Sequence, residues 1–375
     1  MKSVVEVVPG SDRFLAHFYL WKMKRAFYIL GILVTLLSAA AAVAGFATGR
    51  MNPEGREWIS FPGLVMLPIV SVNLLLFLGW CVSRSRWAFV PLAVMLLNGG
   101  FIISMFQVRV LPRKLPADKE PIKMITYNVN NFNTDGINQL RNISDWLRNE
   151  NPDIVCFQEC PSEYSLPMDS IVKSMSFLPY SCTTRSATAS AGLAIFSKYP
   201  ILRFESIFYP ESGNQSLFAV LEMNGDSVRL FNNHFQTTSV NAIRPRLSQA
   251  YAEKNRQEET EAAFHMAFEM KKNFVMRANQ ADYIRGMIDG GKGPVLVCGD
   301  FNDTPASYVY RRVKGGLTDG FREAGSGYGY TFRQLKKMFR IDYIFYSPDF
   351  KGVSYDSPSL VFSDHNPVVW TGYAS

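Results

Sequence analysis

Residues 295–305 read VLVCGDFNDTP, an apolar run that ends at a glycine and is followed at once by a carboxylate and an amide. The apolar run has the length and composition of a short buried strand. Asp300 and Asn302 are two positions apart, so on extended backbone their side chains point to the same side. Gly299 lets the backbone bend or approach a neighbour closely. The segment therefore predicts a strand whose end presents two polar side chains to one ligand.

Other apolar segments place polar residues at a strand end in the same way. These residues are Asn128 and Asn130 in ITYNVNNF, Gln158 and Glu159 in IVCFQEC, Asn232 and His234 in LFNNHFQT, Asp364 and His365 in VFSDHNPVV, and Asp342 at the start of the strand in RIDYIFYS. In open α/β sheets, ligands bind at strand ends, where the sheet supplies a rigid base. Each motif alone is weak, because a polar residue after a strand is usually a solvated strand end. Together the motifs predict one site.

The residue types in these motifs suit the hydrolysis of a phosphate ester. Carboxylate and amide oxygens are the ligands that Mg²⁺ or Mn²⁺ prefers. A cation held there would neutralise the anionic phosphoryl oxygens, and a histidine held by a carboxylate can take a proton from water. The five cysteines have no metal-ligand spacing, and neither Ser197 nor Cys182 has an obvious catalytic partner in sequence.

Strand-like and helical segments alternate through residues 120–375. Helical stripes at 137–148 and 271–288 separate apolar strand-like runs, and residues 239–265 read as a charged surface excursion. The strand-like runs cover 123–127, 154–157, 193–197, 216–221, 228–232, 295–298 and 341–346. This alternation predicts a layered α/β architecture.

Residues 1–110 predict a membrane anchor with three transmembrane helices, at about 26–48, 58–82 and 87–107. The prolines of residues 111–119 predict a linker, which leaves 120–375 as the catalytic domain. Residues 1–115 hold 12 Lys/Arg and 4 Asp/Glu, whereas the remainder holds 27 and 28. The basic excess therefore flanks the apolar segments and does not mark a nucleic-acid surface on the catalytic domain.

The basic residues also predict an orientation in the membrane. Seven of them, before the first helix and in the turn between the second and third helices, lie on the same side of the membrane as the N-terminus. Five lie on the other side, which favours a cytoplasmic N-terminus. Three crossings then place the catalytic domain outside the cytoplasm. We expect an integral protein of a bacterial inner membrane with a periplasmic catalytic domain, whose partners are the lipid bilayer and a phosphoester substrate. The motifs indicate no protein partner.

In their order along the chain, these motifs resemble those of the endonuclease/exonuclease/phosphatase superfamily, over about residues 120–372. The resemblance implies a four-layer α/β sandwich of two packed mixed β-sheets with the active site at one end. It also implies a Mg²⁺-dependent phosphoric ester hydrolase in which water attacks phosphorus directly. The substrate stays open between nucleic acid, a phospholipid headgroup and an inositol phosphate. The alternative is a catalytically silent, membrane-tethered binding domain of the same fold.

The resemblance also implies residue roles. Glu159 looks like the principal Mg²⁺ ligand, and Asn128 and Asp364 look like residues that support the metal. Asn128, His234 and Asn302 look like the residues that contact the phosphate, with His234 at the scissile group. Asp300 looks like the aspartate that orients or activates water, and His365 looks like a general base that Asp342 orients. Either Asp300 or His365 would activate the water. The abasic-site branch often has Asp where Asn130 stands and carries Tyr in place of His234, which puts DNA repair in doubt.

Overall fold

The computed structural model describes residues 11–109, 113–161, 166–184, 191–238, 249, 251–253 and 255–375. Chain packing forms two compact units. Of the described residues, one unit contains those up to Ala44 together with Val65–Gly99, and the other contains those of Gly45–Leu64 and Gly100–Ser375. The predicted domain boundaries stay a prediction, and residues 110–112, at the start of the predicted linker, lie outside the described residues.

Over both units, the α-helices of the described residues are Ser11–Thr48, Phe61–Leu64, Met66–Val82, Phe89–Leu97, Gly99–Met105, Leu140–Glu150, Met168–Ser174, Arg256–Gly290, Tyr308–Lys314 and Gly320–Ala324.

The first unit is built from apolar helices. Within the first unit, the buried Asn73 side chain donates to Ser38 Oγ at 2.7 Å, and Trp80 Nε1 donates to Thr35 Oγ1 at 2.8 Å. Such polar contacts between helices are typical of packing in an apolar environment.

Of the described helices, one, His17–Thr48, is long and apolar enough to cross a membrane by itself, with a mean hydropathy of 2.3. Each of the transmembrane helices predicted at about 58–82 and 87–107 is a pair of shorter helices, bent at the break by 59° and 65° respectively. Pro68 lacks an N–H and its ring clashes with the carbonyl four residues earlier, at Leu64, so the first break falls at Val65. The second break falls at Asn98, before two glycines. Up to three spans remain if each bent pair counts as one.

The second unit contains two six-stranded mixed sheets. The strands are β1 Phe106–Gln107, β2 Ile122–Asn128, β3 Asn133–Thr134, β4 Ile137–Asn138, β5 Ile154–Pro161, β6 Tyr180–Thr183, β7 Ala191–Ser197, β8 Ile201–Phe208, β9 Gln215–Met223, β10 Asp226–His234, β11 Val295–Asp300, β12 Thr318–Asp319, β13 Gly327–Tyr328, β14 Asp342–Tyr346, β15 Phe350–Asp356 and β16 Val368–Ala374. One sheet has the order β15-β16-β2-β5-β7-β6, and the other β12-β14-β11-β10-β9-β8. In each sheet the two central strands are parallel, β2 with β5 and β10 with β11.

The core has three apolar layers. Alternate side chains of both sheets, such as Leu217, Leu296 and Trp370, form the layer between the sheets. The helices Arg256–Gly290 and Tyr308–Lys314 cover the outside of one sheet, and Leu140–Glu150 and Met168–Ser174 cover the other. The predicted four-layer α/β sandwich with two mixed sheets is confirmed.

Candidate active site

The predicted polar residues meet at one end of the sandwich, where the central parallel strands of both sheets terminate. Asn128 ends β2, His234 ends β10 and Asp300 ends β11. His234 and Asp300 are direct register partners across the parallel pair. Because parallel strands end at the same edge of a sheet, distant stretches of sequence deliver their side chains to one place.

Glu159 reaches this place through an irregularity in β5. Its φ is +54°, a left-handed backbone conformation that is uncommon for residues other than glycine. The register of β5 with β7 shifts between Phe157 and Cys160, which brackets Glu159. Such bulges re-aim a side chain and occur next to active sites. The backbone of β5 therefore turns the Glu159 carboxylate toward the strand ends.

Two carboxylates converge on the amide of Asn128. Asn128 Nδ2 donates to Glu159 Oε1 at 2.9 Å and to Asp300 Oδ2 at 3.0 Å. Burial raises the pKa of Glu159. Burial, with the nearby charge of Asp342, raises the pKa of Asp300 to about 6. The site thus concentrates negative charge that a cation would stabilise.

His234 lies beside these carboxylates. Its Nε2 is 3.5 Å from Glu159 Oε1 and 3.8 Å from Asp300 Oδ2, beyond hydrogen-bond reach, and it is buried without a hydrogen-bond partner. Burial lowers the pKa of His234, which favours the neutral ring. A buried, unpartnered ring nitrogen aimed at two carboxylates suits a bound ligand or cation.

His365 and Asp342 form a second pair at the same edge. His365 Nδ1 is 2.9 Å from Asp342 Oδ2, and His365 Nε2 is 3.8 Å from Asp300 Oδ2. Burial alone would lower the pKa of His365, but the carboxylates of Asp342 and Asp300 outweigh it and raise that pKa well above its usual value. Phe332 packs against the imidazole with ring centroids 5.0 Å apart. The ring is therefore held in position by a carboxylate and an aromatic neighbour.

The loop after β11 orients Asn302 by local hydrogen bonds. The backbone N–H of Asn302 donates to Asp300 Oδ1 at 2.8 Å, and its side chain donates to the carbonyl of Phe235 at 2.9 Å. Gly299 has φ +122°, and a Cβ there would lie 1.9 Å from the carbonyl oxygen of Asn233. The glycine of the opening motif is therefore required where β11 passes close to β10.

A polar layer beneath the site ties the two sheets together. Gln158 Nε2 donates to Asn232 Oδ1 at 2.6 Å, and Asn232 Nδ2 donates to the carbonyl of Phe157 at 2.9 Å. The sequence placed Gln158 and Asn232 in strand-end motifs but assigned them no role. Since the two belong to different sheets, their contact fixes the distance between the Glu159 side and the His234 side of the site.

Several supporting residues escaped the sequence analysis. The Ser363 hydroxyl donates to the carbonyl of Asn128 at 2.7 Å, and Thr331 Oγ1 accepts from the backbone N–H of Asp342 at 3.1 Å. Arg277, on the helix Arg256–Gly290, is fully buried, with Nε 3.4 Å from an oxygen of Asp303. The position of Ser363 in the SDHNPV motif was a usable signal. The position of Arg277 carried none, because its partner lies on another element.

Two sets of three side chains could each hold a cation, because the ligand atoms within each set lie within 4.8 Å of one another. One set comes from Glu159, His234 and Asp300, and the other from Asp300, Asp342 and His365. Asp364 belongs to neither set among the described residues: its carboxylate lies 3.5 Å from Gln334 Nε2, and its role stays a prediction. Oxygen donors with one imidazole, in a site that raises carboxylate pKa values, fit a hard divalent cation such as Mg²⁺ or Mn²⁺.

The sequence profile of the Endonuclease/Exonuclease/phosphatase family matches residues 125–365, and the chain belongs to this family. Members of the family are metal-dependent hydrolases that act on phosphoester bonds. Residues 24–105 match a second profile, described as a domain of unknown function (DUF8431).

Among solved structures, an endonuclease/exonuclease/phosphatase from Beutenbergia cavernae is similar with a TM-score of 0.50 and 17% identity, over 68% of this chain and 72% of that one. A humanized D. rerio TDP2 has a TM-score of 0.48 and 17% identity, over 68% and 99% of the two chains. An endonuclease/exonuclease/phosphatase from Bacteroides vulgatus has a TM-score of 0.46 and 20% identity, over 68% of this chain and 100% of that one. At these identities the likeness concerns the fold. No curated protein matches the chain.

Proposed function

We propose that this chain is a Mg²⁺- or Mn²⁺-dependent phosphoesterase that hydrolyses a phosphodiester or phosphomonoester by direct attack of water. The observation that supports the proposal best is the convergence of Glu159 and Asp300 on Asn128, with the unpartnered Nε2 of His234 alongside. A silent binding domain does not require a charged, buried cluster of this kind, whose like charges destabilise the fold unless a cation offsets them.

In this proposal Glu159 is the main cation ligand, and Asn128 and Asp364 support the cation. When bound, the cation neutralises the phosphoryl oxygens and polarises phosphorus. His234 and Asn302 donate hydrogen bonds to the phosphoryl oxygens, where negative charge develops as water attacks. Among the described side chains at this edge, no serine or cysteine contacts an imidazole nitrogen, which agrees with attack by water.

The proton of the attacking water goes to Asp300 or to His365. Asp300 Oδ2 lies 3.8 Å from the Nε2 of both His234 and His365, so it can exchange a proton with either ring through a short shift. His365 is in turn held by Asp342, which fixes the ring so that its Nε2 faces Asp300. The carboxylate and imidazole thus act as one proton-accepting unit, whose apparent pKa values belong to the group rather than to one residue.

We further propose that the apolar helices anchor the chain in a bilayer, with the catalytic domain outside the cytoplasm. The supporting observations are the helix His17–Thr48, the two bent apolar pairs, and the distribution of seven against five basic residues. The bacterial inner membrane and the periplasmic side remain predictions of this proposal.

Hydrolysis assays on the full chain in lipid nanodiscs test the function. Plasmid DNA, RNA, choline phospholipids and inositol phosphates are supplied in parallel with Mg²⁺ or Mn²⁺, with the Glu159→Ala variant as control. The proposal expects metal-dependent cleavage of one substrate class by the wild type and none by the variant. Metal binding without turnover of any of these substrates would favour the silent binding domain.

A further inference from the structure

Large aromatic side chains are exposed together on one side of the second unit. Trp58, Tyr251, Phe264 and Phe268 are 60%, 72%, 70% and 64% exposed. Trp58, Tyr251 and Phe264 line an open groove of about 900 Å³ together with Ala263 and Ala267. Phe268 is four residues after Phe264, so it lies on the same face of the helix. We call these four aromatic residues the aromatic face.

The aromatic face lies on a part of the helix Arg256–Gly290 that packs little against the core. From Met270 onward, one side of this helix is buried, with Phe274, Ala278 and Ile284 in contact with the domain. Before Met270, the buried apolar side chains among the described residues of the helix are reduced to that of Ala262. The helix is about 52 Å long at 1.5 Å per residue, so its first half extends along the surface with its phenylalanines in the open.

Trp58 is fixed to the helix by specific contacts. Lys271 Nζ lies 4.7 Å from the centre of the Trp58 ring and 3.4 Å from an oxygen of Glu57. The Trp58 ring stacks on Phe61 at 5.3 Å, and Phe61 meets Phe274 edge-on at 5.2 Å. The segment that carries Trp58 and the exposed half of the helix therefore form one surface.

The position of Trp58 in the chain identifies what this surface meets. It lies ten residues after Thr48, where the long apolar helix ends, and eight residues before Met66, where the next apolar helix begins. A short segment between two membrane helices lies at the boundary between the bilayer and water, where Trp and Tyr are enriched. The aromatic side chains fixed beside Trp58 share that depth.

We propose that the aromatic face inserts into the headgroup and acyl boundary of the bilayer, a docking that rests on the proposed membrane anchoring. Acidic Glu258 and Glu261 accompany Arg256 on the same turns, so the attraction is apolar and does not require anionic lipid. Further along, Arg277 of the same helix donates to the carbonyl of Gln236 at 2.6 Å, two residues from His234. Docking would thus hold the active site at a fixed height above the lipid.

Spin labels on the full chain in phosphatidylcholine nanodiscs test this docking. Cys81, the exposed cysteine among the described residues, is replaced by Ser, and single labels are placed by Phe264→Cys and Phe268→Cys. The matched control is Tyr283→Cys, a 52% exposed aromatic position on the same helix but in its core-packed half. Leu37→Cys, at a 71% exposed position of the long apolar helix, reports on anchoring itself. Collision rates with oxygen and with a water-soluble nickel chelate are measured at each site.

The docking predicts a several-fold higher ratio of oxygen to nickel collisions at 264 and 268 than at 283, in neutral lipid and at high salt alike. Equal ratios at 264, 268 and 283, with a lipid-like ratio at 37, would overturn the docking and leave anchoring intact. A water-like ratio at 37 would overturn anchoring and docking together. Protection from nickel without a gain in oxygen collisions, dependent on protein concentration, would assign the face to a second copy of the chain. Phosphoester hydrolysis is read separately and does not enter these ratios.

Discussion

At the scale of single residues, the candidate site buries carboxyl groups that are ordinarily ionised. Glu159, Asp300 and Asp342 lie at one edge, and burial opposes the ionised form of the first two. A pKa raised in the folded state means that ionisation destabilises the fold. Without a cation, the ionised carboxylates of Glu159 and Asp300 therefore lower the stability of the fold, whereas with a cation they serve as its ligands. Active sites often lose stability for function in this way.

Asp300→Asn should abolish hydrolysis and stabilise the cation-free protein above pH 6. The carboxyl group has a pKa of about 6 in the fold against about 3.9 when unfolded, so stability falls as pH rises between these values and stays low above them. Asparagine removes this loss, worth on the order of 1–3 kcal/mol. Chemical denaturation of both proteins with chelator at pH 5 and pH 8 measures it. A variant less stable than the wild type at pH 8 would contradict the account.

Asp342→Asn should lower kcat by about 10²-fold or more with little change in KM, because the asparagine still fills the space but no longer holds a charged or correctly oriented imidazole. Since Asp342 raises the pKa of His365, the acidic limb of the pH–rate profile should also move to lower pH. Steady-state kinetics from pH 5 to 9 provide both quantities. An unchanged profile with full kcat would remove the His365–Asp342 pair from the mechanism.

Divalent cation should raise the Tm of the wild type, and more so at pH 8 than at pH 5. Cation binding competes with protons for Glu159 and Asp300, whose pKa values are raised, so affinity rises with pH. Thermal unfolding with Mn²⁺ or with chelator at the two pH values measures the shift. The same shift at both pH values would argue against these carboxylates as ligands.

At the scale of elements, strand ends were predictable and the contacts between elements were not. Apolar runs that stop at polar residues mark the ends of β2, β5, β10 and β11 with only local information. The bulge at Glu159 and the contact between Gln158 and Asn232 depend on residues tens of positions away. The breaks at Val65 and Asn98 were not predicted, because a hydropathy pattern does not register a backbone break.

Gly299→Ala should destabilise the fold by about 2 kcal/mol or more, since the new Cβ would collide with the Asn233 carbonyl at a positive φ. Gly286→Ala is the matched control. It lies within the helix Arg256–Gly290 with open space around it, so alanine should stabilise by up to about 1 kcal/mol. Urea denaturation of both variants measures the difference. Equal stability of the two variants would show that β10 and β11 are not packed this closely.

At the scale of the whole molecule, the α/β sandwich extends beyond residues 125–365, which the family profile matches. β1 pairs with β13, and the backbone carbonyl of Ser104 accepts a hydrogen bond from buried Arg340 at 3.0 Å. Arg340 also forms a fully buried ion pair with Asp319. Residues 87–107 were predicted to form a membrane span, but an apolar run of this kind suits a span and a domain core equally well.

A fragment of residues 113–375 should therefore unfold at a lower temperature than a fragment of residues 100–375. Loss of the Ser104 carbonyl leaves a buried guanidinium hydrogen unpaired, which costs about 1–3 kcal/mol and corresponds to a Tm difference of at least about 2 °C. Calorimetry of the two fragments in the same buffer measures the difference between their Tm values. Identical Tm values would mean that residues 100–112 do not stabilise the sandwich.

The most direct test of cation-dependent hydrolysis at this site measures Mn²⁺ binding and hydrolysis together in one conservative variant, Glu159→Gln. Glutamine keeps the shape of the side chain and removes the charge that faces Asn128 Nδ2 at 2.9 Å. Full-length wild type and variant in nanodiscs are titrated with Mn²⁺ and assayed on bis(4-nitrophenyl) phosphate. The account predicts weaker Mn²⁺ binding and a fall in kcat of about 10²-fold or more in an otherwise folded protein. A variant with wild-type affinity and wild-type rate would contradict the account.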